Sequence, residues 1–242
     1  MYYMLSSASH HAMLFAFITK EIVEEFHELG ENAIENGVIK YGYQRGQRMA
    51  LRTKADGNEL NVMNYLVYGE WEALPGQMDL RFPEFNPEVK MQNYKCPWHT
   101  EWSKRGLIKY GKLYCKHVDS ALAKGYKSDM NLCLKSTRVE DSECCDFLFK
   151  GQSIEDKDQE LFKELKRKIG NKAKMPWEYH VGHLYKTLRE VALEELGPKC
   201  EEAFKRALDL YEKEYGQKSK NLVIEYQDID YNVMPPYEGI NE

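Results

Sequence analysis

Apolar residues recur with helical spacing through the first fifty positions of the chain. One stripe extends over Phe15–Leu29 at intervals of three and four residues, and Gly30 is expected to end this helix. A second stripe extends over Ile34–Met49 and includes Arg45 at a position expected to be buried. A buried guanidinium needs a carboxylate or a ligand as its partner. The pattern therefore predicts two helices and one unusual cation.

The middle of the chain changes to the pattern of β-strands. Residues 78–85 and 88–95 flank an Asn-Pro-Glu turn and predict a hairpin. Pro83 favours an edge position because proline cannot donate a ladder hydrogen bond. Residues 130–139 and 144–150 predict a second hairpin, with Cys145 facing inward.

Helices are predicted around these hairpins. Residues 61–71 predict a short helix, and residues 97–124 predict helix with breaks near Gly106 and Gly111. Residues 221–242 predict a strand followed by a tail. Three further helices are predicted at about 155–169, 177–195 and 199–215.

Runs of helices on both sides of a block of strands predict an α+β fold. The expected architecture is one small antiparallel sheet of about four strands, covered by N- and C-terminal helices. We expect residues 1–153 to form an α+β core and residues 154–242 to form a helical extension packed on it. The motifs Glu-Leu-Gly and Asn-Val-Met occur in both parts, which leaves open whether the extension partly repeats residues 10–70.

Composition and charge narrow the class of protein. The 242 residues are 43% hydrophobic and 30% charged, which is typical of a globular domain. The net charge of -5 and the lack of a basic stripe argue against nucleic acid as a partner. The apolar run 12–18 is too short for a membrane span, no Lys or Arg precedes it, and no small-residue cleavage site follows it. We expect a cytoplasmic protein that binds a small molecule; a homo-oligomer is left open.

The six cysteines are expected to be free thiols in such a compartment. The segment from Cys96 to Asp119 concentrates the candidate chemistry. Cys96, His99, Cys115 and His117 would suit zinc, but Cys115 and His117 point to different faces of one helix. Cys115 and Asp119 instead share a face. The divergence of Cys115 and His117 argues against a metal, and the lack of a phosphate-binding glycine motif argues against a nucleotide, so neither a metal nor a cofactor is predicted.

Two cysteines are candidate nucleophiles. Asp119 alone would raise the pKa of the Cys115 thiol, so a reactive Cys115 would also need a cation. The candidate cations are His99, His117 and Arg45. Cys96 precedes Pro97 at an expected helix start, where the helix dipole stabilises a thiolate. The alternative for a helical cysteine is simple packing. His180 and His183 lack the metalloprotease glutamate, although His183 could line a pocket.

Several motifs, taken in order, resemble one known family. They are GVIKYGYQRGQRMA, YLVYGEWE, KCPWHTEWSKRGL, YGKLYCKHVDSALAKGY and CCDFLF. Together they resemble the L-2-amino-thiazoline-4-carboxylic acid hydrolase family over roughly residues 10–150. One departure is Asp141-Ser142, where family members often have Gly-Asp.

The resemblance implies a hydrolase that opens a C–N bond of a small cyclic amidine- or amide-like substrate. The named example is 2-amino-thiazoline-4-carboxylate, which would give N-carbamoyl-cysteine. Cys115 or Cys96 would attack or orient a water molecule, Asp119 would accept hydrogen bonds and protons, and Arg45 would hold the carboxylate. The other implied substrate-binding residues are Tyr114, His99, Trp71, Cys145 and His183. The alternatives are a non-enzymatic small-molecule-binding or sensor module and a zinc-binding protein.

Overall fold

The computed structural model describes residues 6–235, which form two compact units. Unit 1 contains residues 6–41, 97–118 and 177–230, and unit 2 contains residues 42–96, 119–176 and 231–235. The elements in chain order are α1 (Ala8–Ala55), α2 (Val62–Val67), β1 (Asp79–Glu84), β2 (Val89–Lys95), α3 (Pro97–Arg105), α4 (Ile108–Tyr126), β3 (Asn131–Ser136), β4 (Cys145–Lys150), α5 (Gln159–Ile169), α6 (Trp177–Leu196), α7 (Glu201–Tyr215) and α8 (Gln217–Tyr226). The division into a core of 1–153 and an extension of 154–242 stays a prediction.

Unit 2 contains the β-sheet of the described chain. Its four strands are all antiparallel, in the order β1-β2-β4-β3. Both predicted hairpins are confirmed, and Pro83 lies on the edge strand β1, as its missing donor requires. The predicted α+β class with a small antiparallel sheet is therefore confirmed.

One face of this sheet forms the core of unit 2. Phe147 and Phe149 alternate with outward-facing residues along β4 and are buried, as the period of a strand requires. The Tyr65 ring of α2 packs edge-on against Phe149 and against Tyr126 of α4, with centroids 5.5 and 5.4 Å apart. Helices α1, α2 and α4 thus cover the apolar face of the sheet within this unit.

Helices α1 and α4 touch through their backbones in unit 2. A Cβ atom on Gly46 would lie 2.1 Å from the carbonyl oxygen of Leu122, and one on Gly125 would lie 2.1 Å from that of Tyr43. Only glycine permits this approach. The crossing fixes the segment of α1 that carries Arg45 against the C-terminal half of α4.

Helix α1 is interrupted at His27 rather than ended at Gly30, so the predicted helix end is wrong. His27 has φ 52° and ψ −127°, outside the helical region. Leu29, the last residue of the first stripe, lies beyond this break and is 67% exposed. A Cβ atom on Gly30 would lie 2.6 Å from the Ile22 carbonyl oxygen. The lack of a side chain at Gly30 therefore lets the backbone after the break pack against the backbone of Ile22.

The predicted break near Gly106 is confirmed, but the break near Gly111 is wrong. Gly106 separates α3 from α4 with a φ of 66°. Gly111 lies inside α4, where a Cβ atom would come within 2.2 Å of the Trp102 ring. Glycine at position 111 therefore makes room for a buried indole and does not end the helix.

The predicted strand from residue 221 is also wrong. Residues 217–226 form α8, which packs on α6 and α7 in unit 1. Its buried residues Ser219 and Val223 are one helical turn apart. The strands of the described chain all belong to unit 2, whereas this run belongs to unit 1 and packs as a helix against α6 and α7. The end of the predicted tail, residues 236–242, lies outside the described residues.

Candidate functional site

A cluster of buried charges in unit 2 surrounds the carboxylate of Glu70. Arg45, Arg48 and Arg52 recur at intervals of three and four residues on α1, and all are buried. Arg48 donates through Nε and Nη2 to both Glu70 oxygens, at 3.0 and 2.9 Å. Arg52 Nη1 donates to Oε1 at 2.9 Å, and Arg45 Nε lies 3.5 Å from Oε2. Glu70 thus orients three guanidinium groups at once.

This arrangement keeps Glu70 ionised despite its burial. Burial alone would raise the pKa of Glu70, but the charges of Arg48, Arg52 and Arg45 together lower it to about 2. The bidentate contact with Arg48 adds geometric precision to the charge attraction. Of the three, Arg45 lies farthest from the Glu70 carboxylate, at 3.5 Å compared with 2.9 Å for Arg48 and Arg52.

Asp119 is the second acid within the field of Arg45. It lies on α4, and its side chain keeps partial access to solvent. Desolvation nevertheless raises the pKa of Asp119 to about 6, while the nearby charge of Arg45 opposes the rise. The pKa of Tyr65 is raised first by burial and then by the charge of Asp119. A carboxyl group in this setting can exchange a proton near neutral pH.

Cys145 lies at the start of β4, and the charge of Asp119 acts on it. The backbone N–H of Arg138 donates to its Sγ at 3.4 Å, and Thr137 Oγ1 lies 3.6 Å from it. Burial raises the pKa of the Cys145 thiol, and the charge of Asp119 adds to the rise. Cys145 is therefore a protonated thiol at neutral pH.

Two other predicted residues belong to unit 2. Trp71 follows Glu70 directly and is half-buried. Cys96 is half-buried between β2 and α3, and the prediction that a helix begins at Pro97 is confirmed. Among the predicted site residues, unit 2 thus brings Arg45, Asp119 and Cys145 into one electrostatic neighbourhood.

The remaining predicted residues lie in unit 1, where a cluster of aromatic and histidine rings is buried. Tyr114 packs 5.7 Å from His11, and His183 packs 4.5 Å from Tyr41, measured between ring centroids. His99 lies on α3, with its Nε2 atom 3.4 Å from the Ser103 hydroxyl. Cys115 is half-buried on α4, one helical turn before Asp119.

His11 has a defined protonation state in this ring cluster. Trp98 Nε1 donates to His11 Nδ1 at 3.0 Å, and His11 Nε2 lies 2.9 Å from the Tyr41 hydroxyl. Because an indole N–H can only donate, Nδ1 must carry a lone pair. The imidazole is therefore neutral and donates from Nε2 to Tyr41.

Neither a metal cluster nor a membrane span is found in the described chain. Within residues 6–235, no three His, Cys, Asp or Glu side chains converge as a group that could hold a metal ion. His117 lies 3.0 Å from the carboxylate of Glu35. Among the described helices, none combines the length and apolar character needed to cross a bilayer.

Sequence reasoning missed Glu70, Arg48 and Arg52. The signal was present, because the three arginines share one helical face whose other members are apolar. Such a face requires a buried acid nearby. Which of the chain's many carboxylates meets it depends on the path of the chain after α2, and this cannot be deduced from spacing.

The fold and the charged cluster define an α+β protein with a buried arginine–carboxylate site. Residues 7–149 match the sequence model of the L-2-amino-thiazoline-4-carboxylic acid hydrolase family, and the chain belongs to this family. No curated protein sequence and no solved structure is significantly similar to the chain. The expected family is therefore confirmed, and with it the broad class of hydrolase.

Proposed function

We propose that this protein is a hydrolase that opens the ring of a small cyclic amidine bearing a carboxylate, with 2-amino-thiazoline-4-carboxylate as the model substrate. The observation that carries the proposal is Asp119, a carboxyl group with a pKa of about 6 in the field of Arg45. A base with this pKa is ionised at neutral pH and still able to hold a proton. The family of the chain supports the same substrate.

Arg45 is proposed to hold the substrate carboxylate. Among the described residues of this cluster, three guanidinium groups lie within 3.5 Å of the Glu70 carboxylate, and the charge of Arg45 also acts on Asp119. A net positive site of this kind favours an anionic ligand. A guanidinium matches a carboxylate with two parallel hydrogen bonds. Arg45 is assigned this role because its charge acts on Asp119 as well as on Glu70.

The proposed reaction is addition of water to the amidine carbon. Asp119 accepts a proton from the water as its oxygen bonds to that carbon, and the C=N π electron pair moves to the ring nitrogen. Asp119 then delivers its proton to this nitrogen. Collapse of the intermediate forms a C=O bond and breaks the C–S bond, and the hydroxyl proton goes to the leaving sulfur. The product is N-carbamoyl-cysteine: the C=N double bond becomes a C–N single bond, and the ring opens by cleavage of the C–S bond rather than of the C–N bond expected from the sequence.

The cysteines are proposed to play unequal roles. Burial and the charge of Asp119 raise the pKa of the Cys145 thiol and so keep it protonated. Cys145 is therefore proposed as an uncharged residue that lines the site rather than as the nucleophile. Cys115 and Cys96 remain the proposed thiols for direct attack or for orienting the water. The further proposed substrate contacts are Tyr114, His99, Trp71 and His183.

Turnover of 2-amino-thiazoline-4-carboxylate by matched variants tests this assignment. We expect Asp119→Asn to lose at least about a hundredfold in kcat, because general-base catalysis typically contributes 10²–10⁴-fold. Asp129→Asn is the control, since this acid is exposed and pairs with Lys127 at 3.4 Å. Cys115→Ala and Cys96→Ala separate the two proposed thiols: loss of activity in only one of them identifies the thiol that attacks or orients the water. Full activity of folded Asp119→Asn would refute the mechanism.

A further inference from the structure

Lys174 is held beside the charged cluster by the segment that precedes α6. Lys174 Nζ donates to the Gly69 carbonyl oxygen at 2.7 Å, and Met175 N donates to the Glu70 carbonyl oxygen at 2.7 Å. The Ala173 carbonyl oxygen accepts from Arg52 Nη1 at 3.3 Å. Three successive residues are thus tied to the Glu70 region, which fixes the position of the Lys174 amine.

The surroundings of this amine satisfy it only in part. An ammonium group has three donors, and Gly69 accepts from one of them. Among the described residues, no carboxylate oxygen lies within 4.0 Å of Nζ in an ion pair. Burial lowers the pKa of Lys174 to about 8; Glu72 and Glu70 oppose this, while Lys166 and Arg45 add to it. A desolvated cation with spare donors is suited to bind an anion.

Arg45 connects Lys174 with the proposed catalytic acid. The charge of Arg45 influences both Lys174 and Asp119. Both cations are also placed by the same short segment, since Lys174 Nζ donates to the Gly69 carbonyl oxygen and Arg45 Nε lies 3.5 Å from Glu70 Oε2. An amino-thiazoline carboxylate requires such a pair of roles, with cations for its carboxylate and an acid for its amidine.

We propose that Lys174 is a second cation for the substrate carboxylate and, with Arg45, selects substrates that carry one. This inference rests on the proposed function. Lys174 lies beyond residues 7–149, which match the family, so this contact is supplied by the C-terminal part of the chain. Selection for substrates that carry a carboxylate then depends on residues 154–242 as well as on residues 7–149.

Paired kinetics on two substrates test the role of Lys174. For 2-amino-thiazoline-4-carboxylate we expect Lys174→Gln to raise KM about 10- to 100-fold with kcat within about twofold, since a charged hydrogen bond contributes about that factor. For 2-amino-2-thiazoline, which lacks the carboxylate, wild type and Lys174→Gln should have the same kcat/KM. Lys172→Gln is the control, because Lys172 is an exposed neighbour. Equal losses on both substrates would overturn the proposal.

The conservative variant Lys174→Arg separates charge from structure. It should restore KM at pH 7, because the positive charge is kept. The ratio of kcat/KM for Lys174→Arg to that of wild type should rise above about pH 8, since only the lysine loses its proton there. Taking the ratio cancels the titration of the substrate itself. A ratio that stays constant from pH 7 to pH 9.5 would contradict the assignment.

Protection of Lys174 from chemical modification tests ligand binding at this residue without requiring turnover. Mass spectrometry can follow acetylation of Lys174 and Lys172 by acetic anhydride with and without added compound. We expect 2-amino-thiazoline-4-carboxylate to protect Lys174 selectively and 2-amino-2-thiazoline not to. If turnover is absent but this protection occurs, the hydrolase proposal fails and the carboxylate site stands. If turnover occurs but the two compounds protect equally, the Lys174 proposal fails alone.

Discussion

Replacing Asp119 with asparagine should stabilise the protein while it removes the proposed catalytic base. The pKa of Asp119 rises from its ordinary 3.8 to about 6 in the folded protein. Between these values the folded protein holds a proton that the unfolded chain releases. The free energy of unfolding therefore falls as pH rises through this window, and the loss persists above it.

The expected gain follows from the size of this shift. A shift of about two pH units at about 1.4 kcal/mol per unit gives about 3 kcal/mol as an upper value. Asp119 keeps partial access to solvent, so we expect roughly 1–2 kcal/mol. Asparagine carries no charge to desolvate, and Asp119→Asn should regain this amount above pH 6.

Urea denaturation at pH 4.0 and pH 8.0 measures the effect. The difference in unfolding free energy between Asp119→Asn and wild type should be larger at pH 8.0 than at pH 4.0 by roughly 1–2 kcal/mol. Asp129→Asn, which alters an exposed acid, should show no such increase. An Asp119→Asn variant that is less stable than wild type at pH 8.0 would refute the reasoning about its desolvation.

Three further substitutions test the framework of the site. Glu70→Gln should lower the free energy of unfolding, measured in urea at pH 7, by about 3–5 kcal/mol, because it leaves buried guanidinium groups uncompensated. Since the pKa of Glu70 is lowered in the folded protein, the stabilisation by its carboxylate is present above about pH 4.5 and is lost as pH falls toward 2. Gly46→Ala should cost at least about 1–3 kcal/mol, since its Cβ would meet the Leu122 backbone, whereas Gly69→Ala, with a nearest neighbour at 3.8 Å, should be tolerated. His27→Gly should raise the melting temperature, because glycine relieves about 1–3 kcal/mol of backbone strain at a positive φ.

Local patterns predicted the elements of this protein well where one face of an element is buried. The hairpins, the short helix α2 and the buried stripe containing Arg45 all follow from spacing alone. The failures occurred where distant packing decides. Gly30 and Gly111 are glycines because Ile22 and Trp102 approach them closely, and no local signal distinguishes this from a helix end.

The candidate site was predictable to a similar extent. A buried arginine on an apolar stripe indicated a missing acid, and Asp119 was a candidate from the helical register of α4. Glu70 and Lys174 were not identified, because each reaches the cluster through tertiary contacts of loops. Sequence spacing describes one face of one element, whereas this site is assembled from several.

The pH dependence of kcat for 2-amino-thiazoline-4-carboxylate tests the central claim most directly. The charged and titratable groups that influence Asp119 or respond to it are Arg45, Tyr65 and Cys145. Asp119 acts as a base only when ionised, so kcat should fall about tenfold per pH unit below about pH 6. A kcat that stays constant from pH 7 down to pH 4.5, or a folded wild-type protein with no turnover, would contradict the account.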